Sequence, residues 1–179
     1  MAVSYRRDLW EIAVSRQGVV TVAAAQEAGV PAVEVRKLAA RGALWGEGHG
    51  VYIHQDFPPS PLTQPAVAVA LGGNEAFLQR ESVCNLLGLG QFTPKKIRVG
   101  TRRRVRRELP QWVDLERRTG LTENDITPYE GIAAPTIART LRDLKDRMPF
   151  ERWIDLVDQA LRRDLLDAHE ANALMQGRT

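Results

Sequence analysis

Apolar residues recur at helical spacing three times within the first 42 positions. In SYRRDLWEIAVSRQG, Leu9, Ile12 and Ala13 share a face, Ser4 is placed as an N-cap and Gly18 as a terminator, which predicts a first helix. After VVT, the segment TVAAAQEAG predicts a short helix of alanines, capped by Thr21 and ended by Gly29. Pro31 opens a third helix, AVEVRKLAARG, because its fixed φ and missing N–H suit a first turn, and Gly42 closes it. Val35 and Leu38, three apart, form its inward face. ALWGE and GVYIH follow as short β runs joined by Gly48-His49-Gly50, a hairpin with glycine where positive φ is needed. Two short helices about a tight turn with Gly fit a helix-turn-helix. With a helix before it and a two-stranded hairpin after it, the order is that of a winged helix.

The next stretch, DFPPSPLTQP, has four prolines in ten residues and reads as an extended linker. The predicted organisation is a winged helix-turn-helix domain over 1–55, a linker over 56–65 and a mixed α/β domain over 66–179. In the latter, AVAVALGG and FLQRESVCNLLGLG suit short helices ended by glycine. KKIRVGT and VRRELPQWVDLERR hold alternating or β-branched runs that suit strands, and ITPYEGIAAPT is a strand or loop. Three helices close the chain: PTIARTLRDLKDRM, PFERWIDLVDQALRRDLL and DAHEANALMQ. Leu141 and Leu144 share a face of the first, and Trp153, Leu156, Val157, Ala160 and Leu161 form a stripe along the second. The fold class is therefore α+β, with a winged helix followed by a mixed α/β domain that ends in a helical segment.

Composition bounds the rest. With 44% hydrophobic and 26% charged residues in a chain of 179, a core can form and global disorder is excluded. The longest uncharged apolar run, Ala66 to Gly73, is too short to span a bilayer, so no membrane partner is expected. The start, MAVSYRRDLWEIA, has no apolar h-region or small-residue cleavage site and does not read as a signal peptide. One cysteine, Cys84, excludes an internal disulfide, and its setting in VCNLLGL suits a core thiol. A cytoplasmic protein is the expectation. The net charge of +3 conceals one dense segment: residues 95–108 hold eight Lys/Arg and one Glu. A polyanion is drawn there first.

Candidate contact residues fall in two groups. On the third helix, Ala32, Val33, Arg36, Lys37, Ala40 and Arg41 are left for the outward face. The leading end of such a helix meets base edges in the major groove. Ala32 and Val33 can touch a thymine methyl there but cannot make bidentate hydrogen bonds, and Glu34 repels phosphate. Arg36, Lys37 and Arg41 can neutralise phosphates, or be ordinary solvated helix charges. At the hairpin tip, beside Trp45 and Glu47, His49 can donate to a phosphate, while Tyr52 is expected to pack inward.

The second group is Lys95, Lys96, Arg98, Arg102, Arg103, Arg104, Arg106 and Arg107. A strand would put Lys96, Arg98, Arg102, Arg104 and Arg106 on one side and Ile97, Val99 and Val105 on the other. Arg103 and Arg107 break that pattern, so the middle reads as a turn or loop. Two uses stay open: nucleic-acid phosphates, with a salt slope of roughly −5 for six of them, or pairing with Asp143, Asp146, Asp155 and Asp158. Arginine forks suit either partner. Arg139 and Asp143, four apart, read as a helix ion pair beside Thr140, with a partner-binding surface as the alternative.

Catalytic chemistry has little to stand on. The only acidic-x-Lys tripeptide, Asp143-Leu144-Lys145, lies in a predicted helix. His49, His54, His169 and Cys84 lack metal-ligand spacing, and no P-loop is present. No catalytic residue, metal or cofactor is expected, and the chain does not read as an enzyme.

Residues 29–52, with G-V, a helix, L-A-x-R-G-A-L and then G-V-Y, resemble the N-terminal winged helix of AbiEi-type antitoxins. RESVCNLLGLG resembles the helix that opens that family's second domain. IAAPTIARTLRDL resembles its TL-x-D-L segment through Arg139, Thr140, Leu141, Asp143 and Leu144, and WIDLVDQALRRDLLDAHEANAL resembles its closing helix pair. The resemblance implies an antitoxin of the type IV toxin-antitoxin class that binds promoter DNA of its own operon as an autorepressor and counters a nucleotidyltransferase-like toxin. Two alternatives remain: neutralisation by direct contact with the toxin with little specific DNA binding, and, ranked last, a nucleic-acid-processing enzyme.

Overall fold

The computed structural model describes residues 4–176; Met1 to Val3 and Gly177 to Thr179, the ends of the two expected domains, lie outside the described residues. The chain is mixed α+β. Among the described residues it has eight α-helices and three small sheets, and it ends in a helix. No described helix is long and apolar enough to cross a membrane. Two units emerge: residues 4–74 with 129–132, and residues 75–128 with 133–176.

In the first unit the order is α1 (Tyr5–Ser15), β1 (Val19–Thr21), α2 (Val22–Glu27), α3 (Ala32–Ala40), β2 (Leu44–Gly48), β3 (Val51–His54) and α4 (Thr63–Gly72). The strands pair antiparallel in the order β1-β3-β2. Local chemistry sets most of these ends. Thr21 Oγ1 accepts the Ala24 N–H at 3.1 Å, capping α2. Ser4 occupies the cap position of α1, but its side chain makes no capping bond. At the end of α3, Gly42 has φ +79° and the Ala43 N–H reaches back to Leu38 O at 2.9 Å, a left-handed glycine closure. Leu9, Ala13, Val20, Ala25, Val30, Val35 and Leu44 form the core, with Leu38 and Tyr52 packed against it. Each fully buried Val or Leu contributes about 1.5–3 kcal/mol.

The domain boundary differs from the expected linker at 56–65. Helix α4 begins inside that stretch and packs on β1 and β3, so the first unit runs on to residue 74. Pro65 sits in the first turn of α4, where no backbone donor is needed. Val67, Ala68 and Leu71 are the buried residues that draw the helix onto the sheet.

His54 ends β3 and is 1% exposed. Its Nδ1 accepts the Asp56 N–H at 3.3 Å, which leaves the ring proton on Nε2, a buried atom without a partner. The ring meets Trp10 edge-on at 5.3 Å. Burial pushes its pKa below the ordinary 6.5, outweighing the attraction of Asp56. Because the folded form resists a proton that the unfolded chain accepts, this group has no effect well above pH 6.5 and costs stability as pH falls below it. Wild-type melting temperature is therefore expected to drop between pH 7 and pH 5, and His54→Phe, which keeps the ring contact, is expected to flatten that drop. An equal drop in both proteins would remove His54 as its source.

The second unit holds β4 (Ala76–Leu78), α5 (Glu81–Leu86), β5 (Ile97–Thr101), β6 (Val113–Arg117), a 3-10 turn (Glu123–Asp125), β7 (Ile126–Tyr129), β8 (Ile132–Pro135), α6 (Ile137–Leu144), α7 (Phe150–Arg162) and α8 (Ala168–Gln176). Residues 129–132, the tip joining β7 to β8, count with the first unit, where Gln17 Nε2 donates to Glu130 O at 2.8 Å. Phe77 and Leu78, expected in a helix, lie instead in β4. Their positions are buried on both faces, so the run lacks the alternation that marks a strand. Strand β5 is central, antiparallel to β4 and parallel to β6. Gly100 faces Phe77 across β4 and β5, and a Cβ there would collide with the aromatic ring. The helices bury Cys84, Leu141, Leu144, Trp153, Leu156, Val157 and Ala160, whereas Leu161 of the expected stripe is 38% exposed. Burial pushes the Cys84 thiol up to about 12, so it stays an inert core group.

Candidate nucleic-acid interface

Helix α3 sorts its residues by the 3.6-residue period. Val35 is fully buried, while Val33, Arg36, Lys37, Ala40 and Arg41 are exposed and fall on one stripe. Ala32 is half-buried at the helix start. The charges on this face are not equivalent. Lys37 Nζ lies 2.7 Å from Glu34 Oε1, so the carboxylate expected to repel phosphate is neutralised at the expense of Lys37. Arg36 and Arg41 have no carboxylate partner among the described residues.

The β2–β3 hairpin follows α3 directly. Gly48, His49 and Gly50 all have positive φ, and the register shifts between Gly46 and Gly48. His49 is exposed at the tip. Trp45, opposite Ile53 in the ladder, is 58% exposed, the most exposed large apolar side chain described. Tyr52 packs against the core as expected.

In the second unit the arginine-rich segment is the crossover between the parallel strands β5 and β6. Parallel neighbours need a long connection, and residues 102–112 supply one without a helix. Three of the eight cations are paired with carboxylates. Arg98 lies 3.0 Å from Glu81 and 2.8 Å from Asp114, its register partner on β6. Arg103 reaches Glu75 at 2.6 Å, and Arg102 lies 4.0 Å from Glu123. None of these carboxylates is one of the four C-terminal aspartates expected as partners. Lys95, Lys96, Arg104 and Arg106 are exposed and face no carboxylate among the described residues. Arg107 is half-buried and has an interaction of its own.

Asp143 is held from two sides. Its Oδ2 lies 2.6 Å from Arg118 Nη2 and its Oδ1 3.2 Å from Arg139 Nε, which establishes the expected i,i+4 pair and adds a partner from beyond the helix. Arg118 also donates to Gln79 Oε1 at 2.9 Å, and Arg80 pairs with Glu116 at 2.6 Å. Arg139 reaches Gly120 O and, at 3.5 Å, Asp125. The N–H and hydroxyl of Thr122, with Arg139 behind them, hold the Asp125 carboxyl below the usual range. Arg80 is buried, has φ +52°, and its Nε lacks a partner. Gln79, Arg80, Glu116 and Arg118 escaped sequence reasoning because their side-chain partners lie 25 to 39 residues away. The alternation in VDLERR, which puts Asp114 and Glu116 on one strand face, was the single local signal.

No family model and no curated protein matches the chain. Among solved structures it is similar to the RV2827C protein from Mycobacterium tuberculosis, with 19% identity and a TM-score of 0.48 over 99% of this chain and 73% of that one.

Proposed function

We propose that the first unit is a winged helix that binds DNA, and that the chain is the antitoxin and autorepressor of a type IV toxin-antitoxin pair whose toxin is nucleotidyltransferase-like. The observation that carries the DNA reading is the outward stripe of α3, where Arg36, Lys37 and Arg41 share a solvent face with Val33 while Val35 is buried beneath. A stiff β-branched side chain near the leading end suits apolar contact with a thymine methyl, and the arginines behind it suit phosphates. The order α-β-α-α-β-β with a β1-β3-β2 sheet supports the winged-helix reading. In the second unit, taken by itself, the exposed Arg104 and Arg106 also suit phosphates. The antitoxin role rests on the sequence resemblance.

The test is a mobility shift on the upstream region of the protein's own gene against scrambled DNA, across salt concentrations. Specific retardation is expected, with Arg36→Ala and Arg41→Ala each reducing the salt slope by about 0.9. Lys37→Ala is expected to change it less, since Glu34 already occupies that ammonium. Equal weak binding to both DNAs would sink the DNA reading. Exposed Val33 and Trp45 favour the alternative in that event, direct contact with the toxin, which co-purification with the neighbouring gene's product tests.

A further inference from the structure

An open cleft of about 630 Å³ in the second unit is bounded by the start of α5, the 91–96 segment, β5, β6 and the start of α7. Four cations line it, Lys95, Lys96, Arg98 and Arg152, against two carboxylates, Glu81 and Asp114. Both carboxylates are turned onto Arg98, at 3.0 and 2.8 Å. What the cleft offers an incoming group is therefore the charge of Lys95, Lys96 and Arg152. The lysines are exposed and without a carboxylate partner among the described residues. Arg152 is held in place: its Nη2 donates to Gln91 O at 2.8 Å and its guanidinium lies 4.6 Å over the Phe92 ring. One held planar donor beside two ammonium point charges suits a tetrahedral anion, the arginine fixing orientation and the lysines adding charge. The volume is in the range of small-molecule sites.

We propose that this cleft binds a phosphate group, with Lys95 and Lys96 as its charge and Arg152 as its oriented donor, while Arg98 keeps Glu81 and Asp114 from repelling the anion. The site does not depend on the reading of α3. The full chain is titrated with sodium pyrophosphate by calorimetry, and separately with a short scrambled DNA duplex by anisotropy. At least one is expected to bind saturably, and Lys95→Gln and Lys96→Gln are each expected to weaken it roughly tenfold. Arg152→Lys, which keeps the charge and loses the fork, is expected to weaken it less than Arg152→Gln. Binding of pyrophosphate alone, lost in the double lysine variant, assigns a small phosphate ligand to the cleft, and binding of the duplex alone, weakened in that same variant, assigns it a backbone phosphate. The proposal is overturned if wild type binds neither, or if the double lysine variant, with an unchanged melting temperature, binds as wild type does. Pyrophosphate binding without operator specificity would leave this site standing and remove the α3 reading alone.

Discussion

Trp153→Ala is expected to destabilise the second unit by about 3–5 kcal/mol, the range for emptying a large aromatic from a core. Trp153 is fully buried among Leu141, Leu144, Leu156 and Val157, so little of the space can be refilled by solvent-exposed groups. Its indole also does a polar task. Helix α6 ends at Leu144, and the Lys145 N–H turns to Arg142 O, which leaves the Leu141 carbonyl in the unpaired last turn. Trp153 Nε1 donates to that carbonyl at 2.7 Å. Phe150 stacks on the ring at 5.9 Å, and Lys145 Nζ lies 5.2 Å from its centroid. Trp153→Phe separates the two roles: it keeps most of the apolar volume, drops the donor, and is expected to cost about 1–2 kcal/mol. Urea midpoints at unchanged m-value are the measurement. Equal losses in the two variants would mean that the hydrogen bond, and not the volume, carries the effect.

Asp143→Ala is expected to cost about 3 kcal/mol, the lower end for removing one partner of a buried ion pair. The carboxylate and both guanidiniums are at least four-fifths covered, with side-chain exposures of 14, 13 and 20%. Without Asp143, Arg118 and Arg139 face each other with only the Gln79 and Gly120 oxygens and Asp125 left to them. Asp143→Asn retains an acceptor for one arginine and is expected to lose less, about half as much. A midpoint unchanged in Asp143→Ala would show that the network is already balanced without it. The two losses should be measured separately, since both substitutions act through α6 and need not add.

The parts of the fold that were legible in the sequence are those written in local chemistry. Thr21 as a cap, Gly42 as a terminator and the Val35–Leu38 face of α3 each depend on residues within a turn of one another. The outward stripe of α3 followed from the same periodicity. Beyond that range the signal fails. Strand β4 lies in a stretch whose pattern suits a helix, because three buried residues carry no alternation. The first turn of helix α4 lies within the expected linker, because prolines argue against helix interiors but not against first turns. The dense arginines were legible as charge, but their division was not. Nothing local says that Arg98 belongs to Asp114, 16 positions on, while Lys95 and Lys96 beside it face no carboxylate among the described residues. That division comes with the pairing of β5 and β6, whose register sets Arg98 beside Asp114 while Val99 and Val113 are buried.

The four residues at the tip between β7 and β8 have a consequence for the order of events during synthesis. The first unit, otherwise encoded by the first 74 residues, includes Glu130 bonded to Gln17 and Gly131 lying against the Ser15 carbonyl. A nascent chain emerges from its N-terminal end and folds as it emerges. Its leading unit lacks this last piece until residue 132 is out of the ribosome, and by then β4, β5 and β6 have emerged as well. The first unit is therefore completed only after most of the second unit's sheet is already out, and cutting the gene after codon 74 would release a first unit short of residues that belong to it.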